Sequence, residues 1–244
     1  MNQLSAARLL EVWEQGLSAK PVERALLLLN AARTEESWDA LLKLSIGKRD
    51  ARLLQLRAET FGSSLQAMSD CPHCGEAVEM SLYVRDILVD MPETEDGLLS
   101  LSTGNYNVHF RLPDSSDLAA AVAVGDRTIA ARQLFHRCLI EVRQDDKIVS
   151  FDELPSTVLD AVAEYISRID AQSNVELEMT CPACSHAWVS PFDIVAFFWM
   201  EVSVWAKRML RDIHILARAY GWSEEEILAL SPARRQAYLE MVSG

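Results

Sequence analysis

The chain has 244 residues, half of them apolar, with 23 basic and 36 acidic residues. A chain of this size and composition can bury a substantial core, which excludes general disorder. The formal net charge of −13 repels phosphate backbones, so we expect no nucleic acid among its main partners.

The N-terminus, MNQLSAARLLEVWEQG, lacks the basic start, the apolar run and the cleavage site of a signal peptide. The most apolar segment, 194–205, contains Glu201 and is shorter than the roughly twenty residues that a membrane span needs. We therefore expect a bacterial cytoplasmic protein with no membrane partner, whose thiols stay reduced.

Helical signals dominate the first 66 residues. Apolar residues between 4 and 17 recur every three or four positions, as in an amphipathic helix. Pro21 suits the first position of a second helix, and a third is predicted near 38–44. Gly47 is predicted to interrupt the run, and Gly62 to end a further helix over 51–61.

The middle of the chain mixes strands and helices. Strand patterns occupy 77–84 and 105–112, and the turn at 103–105 predicts a hairpin that joins 98–102 to 106–112. A polar loop is predicted at 92–97. Helices are predicted over 126–139 and 158–169, with a turn at 144–146 between them, and a strand over 175–180.

The last fifty residues are predicted to be helical. Pro191 precedes a long apolar helix that ends near 220–221, and Ser223 with Glu226 forms a capping box for the next one. A last helix is predicted from 231 to 242. The consecutive Phe197–Trp199 and Leu26–Leu29 cover most of a helix circumference, so each needs a partner from this chain or another.

Two cysteine pairs carry the main chemical signal. They read Cys71-Pro-His-Cys74-Gly and Cys181-Pro-Ala-Cys184-Ser. In such a knuckle the tight turn lets both sulfurs face one ion, and zinc prefers four thiolates in tetrahedral geometry. We predict that Cys71, Cys74, Cys181 and Cys184 bind one structural Zn²⁺ per chain, and that there are no catalytic or other cofactor-binding residues.

The 106 residues between the pairs are far more than a compact zinc ribbon contains. The sequence therefore predicts an α+β, mainly helical fold, in which a split zinc ribbon joins N- and C-terminal helical segments around a mixed α/β insert. The predicted segments are an N-terminal helical part at 1–66, a first knuckle at 67–84, the insert at 85–174, a second knuckle at 175–190, and a C-terminal helical part at 191–244.

Three other interpretations of the cysteines stay open. Cys71 and Cys74 match the active-site tetrapeptide of thiol-disulfide oxidoreductases, although strand-like residues follow them. The pairs could be unrelated structural pairs or disulfides, or His73 or His186 could replace one thiol. A zinc ribbon that binds nucleic acid is a further alternative, which the charge disfavours. We expect Cys138 to be a small buried hydrophobic residue.

The sequence contains no phosphate-binding loop, nucleophile elbow or zinc-protease motif, and its histidines are scattered. Nothing in it therefore predicts an enzyme.

Two stretches carry a resemblance to a known family. Ser45-Ile-Gly-Lys-Arg-Asp-Ala-Arg-Leu-Leu-Gln-Leu-Arg, with Phe61-Gly and Cys71-Pro-His-Cys74-Gly-Glu, resembles zinc-knuckle proteins encoded with contractile phage tails and related injection systems. The ending, Leu216-Ala-Arg-Ala-Tyr-Gly-Trp-Ser-Glu-Glu-Glu-Ile-Leu-Ala-Leu-Ser-Pro-Ala-Arg-Arg, is similar to helical tails of baseplate and tail-assembly proteins. The nearest family is the T-even-phage-type baseplate hub assembly chaperone, or baseplate protein, family.

The resemblance implies a non-enzymatic, chaperone-like or structural role in a contractile tail baseplate. It also implies phage-like tail or baseplate proteins as partners, and incorporation into a tail-like particle as an alternative location.

Overall fold

The two ends of the chain fold into one unit, residues 1–35 with 195–244, and residues 36–194 form a second unit. The computed structural model describes residues 4–32, 35–89 and 97–243. Helices predominate and the sheets are small, which confirms the predicted α+β, mainly helical class. The five-segment division stays a prediction, and the predicted polar loop at 92–97 lies outside the described residues except for Gly97.

The unit made by the chain ends is helical. Its elements are α1 (Ala6–Gly16), α2 (Pro21–Ala32), the long α9 (Ile194–Tyr220), which begins at the boundary, α10 (Glu224–Leu228) and α11 (Pro232–Ser243). The predicted starts at Pro21, Ser223 and Pro232 are confirmed, and the Ser223–Glu226 capping box is present. Its core contains Leu10, Ala206, Met209, Ile213, Leu216 and Ile227.

A close approach of α1 to α9 depends on Gly16. A Cβ atom at this position would lie 2.1 Å from the Trp199 ring, so only glycine fits here. Arg24 stacks over the same ring at 4.6 Å and donates a hydrogen bond to the Gly16 carbonyl. Phe197 and Phe198 are buried as well. The consecutive aromatic residues Phe197–Trp199 are thus covered by the chain itself.

The second unit contains the remaining elements, with the cysteines near its beginning and end. They are α3 (Trp38–Leu42), α4 (Ile46–Phe61), β1 (Ser64–Asp70), β2 (Ala77–Tyr83), α5 (Val84–Ile87), β3 (Leu99–Thr103), β4 (Tyr106–Phe110), α6 (Ser115–Val122), α7 (Arg127–Cys138), β5 (Leu139–Gln144), β6 (Lys147–Ile148), α8 (Ser156–Ile169), β7 (Val175–Thr180) and β8 (Ala187–Phe192).

An antiparallel sheet in the order β3-β4-β5-β6 forms the centre of the insert. Alternate residues of β4 and β5 point to one face, where Val108, Phe110 and Val142 pack against Val158 and Val162 of α8. The predicted hairpin between β3 and β4 is confirmed, and so is the turn before β6, where Asp145 and Asp146 have positive φ.

Two separate antiparallel hairpins, β1–β2 and β7–β8, flank the insert in the sequence. Their last paired residues are Asp70 with Ala77 and Thr180 with Ala187. Each hairpin therefore closes around one cysteine pair, and both pairs lie in hairpin loops of equal length.

Two local predictions are corrected. Gly47 does not break a helix, because it lies buried in the first turn of α4, where its N–H donates to Asp170 at 2.9 Å. The helical signal does not extend to residue 66, since β1 begins at Ser64. Pro191 precedes the long apolar helix α9, as predicted. It lies inside β8, opposite Glu176, which is possible because both strands of a two-stranded sheet are edges.

Buried polar residues just before β7 hold the base of the second hairpin in place. Asp170 accepts hydrogen bonds from the Ser45 hydroxyl at 2.8 Å and from the Gly47 N–H, at the start of α4. Gln172 donates to the Ile87 carbonyl at 3.2 Å and accepts from the Val89 N–H at 2.7 Å. Since Ile87 ends α5, the short helix that directly follows β2, these bonds tie the bases of the two hairpins together.

Asp50 in α4 is expected to make stability depend on pH. Burial raises its pKa to about 6, despite the Arg49 guanidinium 2.7 Å away. Because this pKa exceeds the unfolded value of about 3.9, the favourable contribution is complete below pH ~4 and is lost as the pH rises through 6. We expect a loss of about 3 kcal/mol in the free energy of unfolding across this range.

Chemical denaturation at several pH values measures this effect against Asp50→Asn. The parent should lose more stability than the variant between pH ~4 and ~7. Parallel pH profiles for the two proteins would contradict the assignment.

Candidate metal centre

The two cysteine pairs adopt the same backbone structure. The N–H of Cys71 donates to the Glu76 carbonyl at 2.8 Å, and that of Cys181 donates to the His186 carbonyl at 2.9 Å. In both loops the N–H of the residue after the second cysteine donates back to the first, from Gly75 to Cys71 and from Ser185 to Cys181. The loops are therefore equivalent knuckles.

The residue after each second cysteine has a left-handed backbone. Gly75 has φ 76° and Ser185 has φ 60°. Glycine adopts this conformation readily, whereas serine does so at some cost. This left-handed backbone explains why a small residue follows the second cysteine of each pair.

The sulfur atoms of all four cysteines lie within 4.8 Å of one another. The short contacts join the two knuckles: Cys71 Sγ lies 3.8 Å from Cys184 Sγ, and Cys74 Sγ lies 3.6 Å from Cys181 Sγ. A tetrahedral zinc ion with Zn–S bonds of 2.3 Å separates its sulfurs by about 3.8 Å. The arrangement therefore fits zinc, and it is far wider than a disulfide bond of about 2.05 Å.

Peptide N–H groups support the sulfur atoms. Burial raises the pKa of Cys71, but hydrogen bonds from the N–H groups of Cys74 and His73 outweigh it and lower that pKa to about 7. Cys74 and Cys184 likewise accept hydrogen bonds from the N–H groups of Glu76 and His186, but burial and the neighbouring cysteine sulfurs outweigh these bonds. They raise the pKa of Cys74 to about 12 and also raise the pKa of Cys184. The peptide hydrogen bonds favour the thiolate, which is the form that binds a metal.

Two histidines lie beside the cluster. The rings of His73 and His186 stack at 5.4 Å, and His186 also stacks on Trp188 at 6.3 Å. These two histidines are far apart in the sequence, and the pairing of the two knuckles brings them together. In the part of the chain that the structure describes, the metal-compatible cluster consists of the four cysteines.

Two of the alternative functions, a thiol-disulfide oxidoreductase and a nucleic-acid-binding ribbon, are disfavoured by the structure and charge of the hairpins. A thiol oxidoreductase places a helix after its cysteine pair, whereas strand β2 follows Cys74. Residues 62–83 and 173–192, which form the two hairpins, contain five acidic residues and no lysine or arginine. The charge of these two hairpins therefore disfavours binding to a phosphate backbone.

Cys138 lies apart from the cluster at the end of α7. It is buried, its sulfur lies 3.8 Å from an Asp117 oxygen, and burial raises its pKa to about 12. It is thus a buried neutral thiol.

The sequence match covers both knuckles and the insert between them. Residues 17–199, about three quarters of the chain, match the family described as T4 bacteriophage base plate protein. The chain belongs to this family. The family resemblance found in the sequence is confirmed, although the ending at 216–235 lies outside the matched residues. No curated protein and no solved structure is significantly similar to the chain.

Membership in this baseplate family supports a structural role in a phage tail and contacts with other tail or baseplate proteins. It suggests a protein without enzymatic activity. None of the described helices is long and apolar enough to cross a membrane.

Proposed function

We propose that this chain is a zinc-stabilised structural or assembly protein of a phage-like contractile tail baseplate. The family match over 17–199 carries the proposal. It includes both knuckles, so the metal centre falls within the part of the chain that resembles other baseplate proteins.

The metal in this proposal is structural. Cys71, Cys74, Cys181 and Cys184 fill all four positions of a tetrahedral ion, which leaves none for water or substrate. The ion would clasp the tips of the two hairpins, while Gln172 and Asp170 hold their bases. One zinc per chain would thus fix the two borders of the 106-residue stretch between the cysteine pairs.

The assembly role is tested by co-expressing the chain with candidate tail and baseplate proteins from the same genome and by isolating the complexes. We expect a stable complex with at least one tail or baseplate protein, and defective particles when the gene is deleted. Normal particles without the gene, together with no bound tail protein, would overturn the proposal.

The protein composition of purified particles distinguishes a structural component from an assembly chaperone. A chain that is present in finished particles at fixed stoichiometry is a structural component. A chain that is required for assembly but absent from finished particles acts as a chaperone.

A further inference from the structure

The outer face of α9 carries an exposed stripe with two chemical halves. Its members recur at spacings of four and three residues and therefore lie on one side of the helix. They are Met200, Val204, Lys207, Arg211, His214 and Arg218, here called the α9 stripe, and all are exposed. The stripe is about 27 Å long.

The opposite side of α9 is the one that the fold uses. Ala206, Met209, Ile213 and Leu216 are buried in the core of the unit formed by the chain ends. Met200 and Val204, by contrast, are 55% and 56% exposed. These two apolar side chains are therefore not required to build that core.

The second half of the stripe is positively charged in a chain of net charge −13. Residues 207–218 contain four lysines and arginines and a single acidic residue, Asp212. Arg208, Arg211 and Arg235 share the electrostatic field of that one carboxylate. Lys207 and Arg218 have no ion-pair partner among the described residues.

We propose that the α9 stripe docks an acidic amphipathic helix of another protein. The apolar end of that helix would cover Met200 and Val204, and carboxylates about one, two and four turns further along would pair with Lys207, Arg211 and Arg218. Residues three or four apart on the partner helix present side chains in a matching row. Charge complementarity sets the direction of docking and favours this partner over others.

Two other occupants fit less well. In a pair of α9 helices from two copies, a parallel arrangement places basic residues against basic residues, and an antiparallel one places them against Met200 and Val204. A nucleic acid would meet the basic half but would leave the apolar half uncovered and approach a strongly acidic protein.

This inference deepens the proposed baseplate role and depends on it only for the identity of the partner as a tail protein. The exposed stripe begins at Met200, directly after the residues that match the family. It therefore concerns a surface of this chain and not a property shared through the matched region.

The test uses the zinc-loaded full chain and a fluorescent synthetic helix of about 20 residues. The peptide carries leucines along one face in its first half and glutamates along the same face in its second half. We expect saturable binding in fluorescence anisotropy, weakened by raising the salt from about 0.05 to about 0.5 M. The Lys207→Glu/Arg211→Glu double variant and Val204→Glu should each weaken it by about tenfold or more.

Matched controls isolate the stripe. Lys147→Glu reverses an exposed charge on β6 and should leave binding unchanged, and a peptide with lysines in place of its glutamates should not bind. Circular dichroism and zinc content verify that the variants fold. Unchanged binding by the double variant would overturn the proposal. So would equal binding of a single-stranded oligonucleotide, or self-association through the stripe in sedimentation experiments.

The double variant also separates this inference from the assembly role. If the chain binds the peptide but forms no complex with a tail protein, the α9 stripe is supported as a docking surface and the proposal of a baseplate partner is overturned. A tail-protein complex that the double variant forms as well as the parent supports the baseplate role and overturns the stripe as its docking surface.

Discussion

Replacing Cys184 with serine is expected to abolish binding of the proposed zinc ion and to lower the free energy of unfolding by more than about 3 kcal/mol. Loss of a group that merely orients a metal ligand weakens metal binding by about 10- to 100-fold, and Cys184 is itself a proposed ligand. Because structural zinc is bound and the fold formed together, the lost binding free energy appears as lost stability. Elemental analysis of the purified chain and chemical denaturation measure the two effects.

The control for this variant is Cys138→Ala, which alters the cysteine outside the cluster. It should retain about one zinc per chain and cost about 1 kcal/mol, since it removes one small buried group. Cys74→Ser, in the other knuckle, should match Cys184→Ser, because a shared ion needs both knuckles. If either serine variant keeps its zinc and unfolds like the parent, the four thiols do not form one site.

The knuckles were accessible to sequence analysis because their chemistry is local. A two-residue spacing, a proline and a small residue after the second cysteine specify a turn with little help from the rest of the chain. The predicted strand 175–180 coincides with β7, and the predicted 77–84 nearly coincides with β2. What the spacing alone left open was which sulfurs meet. The contacts between Cys71 and Cys184 and between Cys74 and Cys181 supply that answer.

Strands β1 and β5, which the sequence does not predict, have weak local signals. The β1 sequence SLQAMSD contains no β-branched or aromatic residue, and such residues give strands their usual signature. Strand β5 follows helix α7 directly, with Leu139 ending one and beginning the other, so no turn residue separates the two patterns. Both strands are formed by pairing with partners, β2 and β4, that the local sequence does not specify.

The anchors of the hairpin bases were beyond sequence analysis for a different reason. Asp170 bonds to Ser45 across 125 residues, and Gln172 bonds to Ile87 across 85. An isolated aspartate or glutamine in a sequence is usually exposed, and only the fold shows that these two are buried. The same limit applies to α9, where the consecutive aromatic residues Phe197–Trp199 could have been covered by this chain or by another. These aromatic residues are core, and the most exposed large apolar residues described in α9 are Met200 and Val204.

Asp117→Asn is expected to lower the free energy of unfolding by about 3 kcal/mol, the lower end of the cost of breaking a buried ion pair. The fully buried Asp117 carboxylate accepts hydrogen bonds from Arg111 at 2.5 and 2.9 Å and from Arg137 at 2.7 Å. It also accepts from the Asp114 N–H, at the start of α6. An amide cannot satisfy two guanidinium groups, so the variant loosens α6 from α7 and from the end of β4. The two arginines are partly exposed, which keeps the cost at the lower end.

The pH dependence gives the Asp117 prediction a second, signed test. Burial opposes ionisation of Asp117, but its hydrogen bonds from Arg111, Asp114 and Arg137 hold its pKa well below the usual range. Its contribution is therefore present above pH ~4 and is lost as the pH falls further, so the gap between parent and variant should narrow in acid. The control Glu141→Gln removes a partly exposed carboxylate that is paired with Arg143 at 2.7 Å and should cost less than about 1 kcal/mol. If Asp117→Asn and Glu141→Gln lower the free energy of unfolding equally, the burial of Asp117 adds nothing to stability. Its contacts with the two arginines would then be worth no more than a surface ion pair.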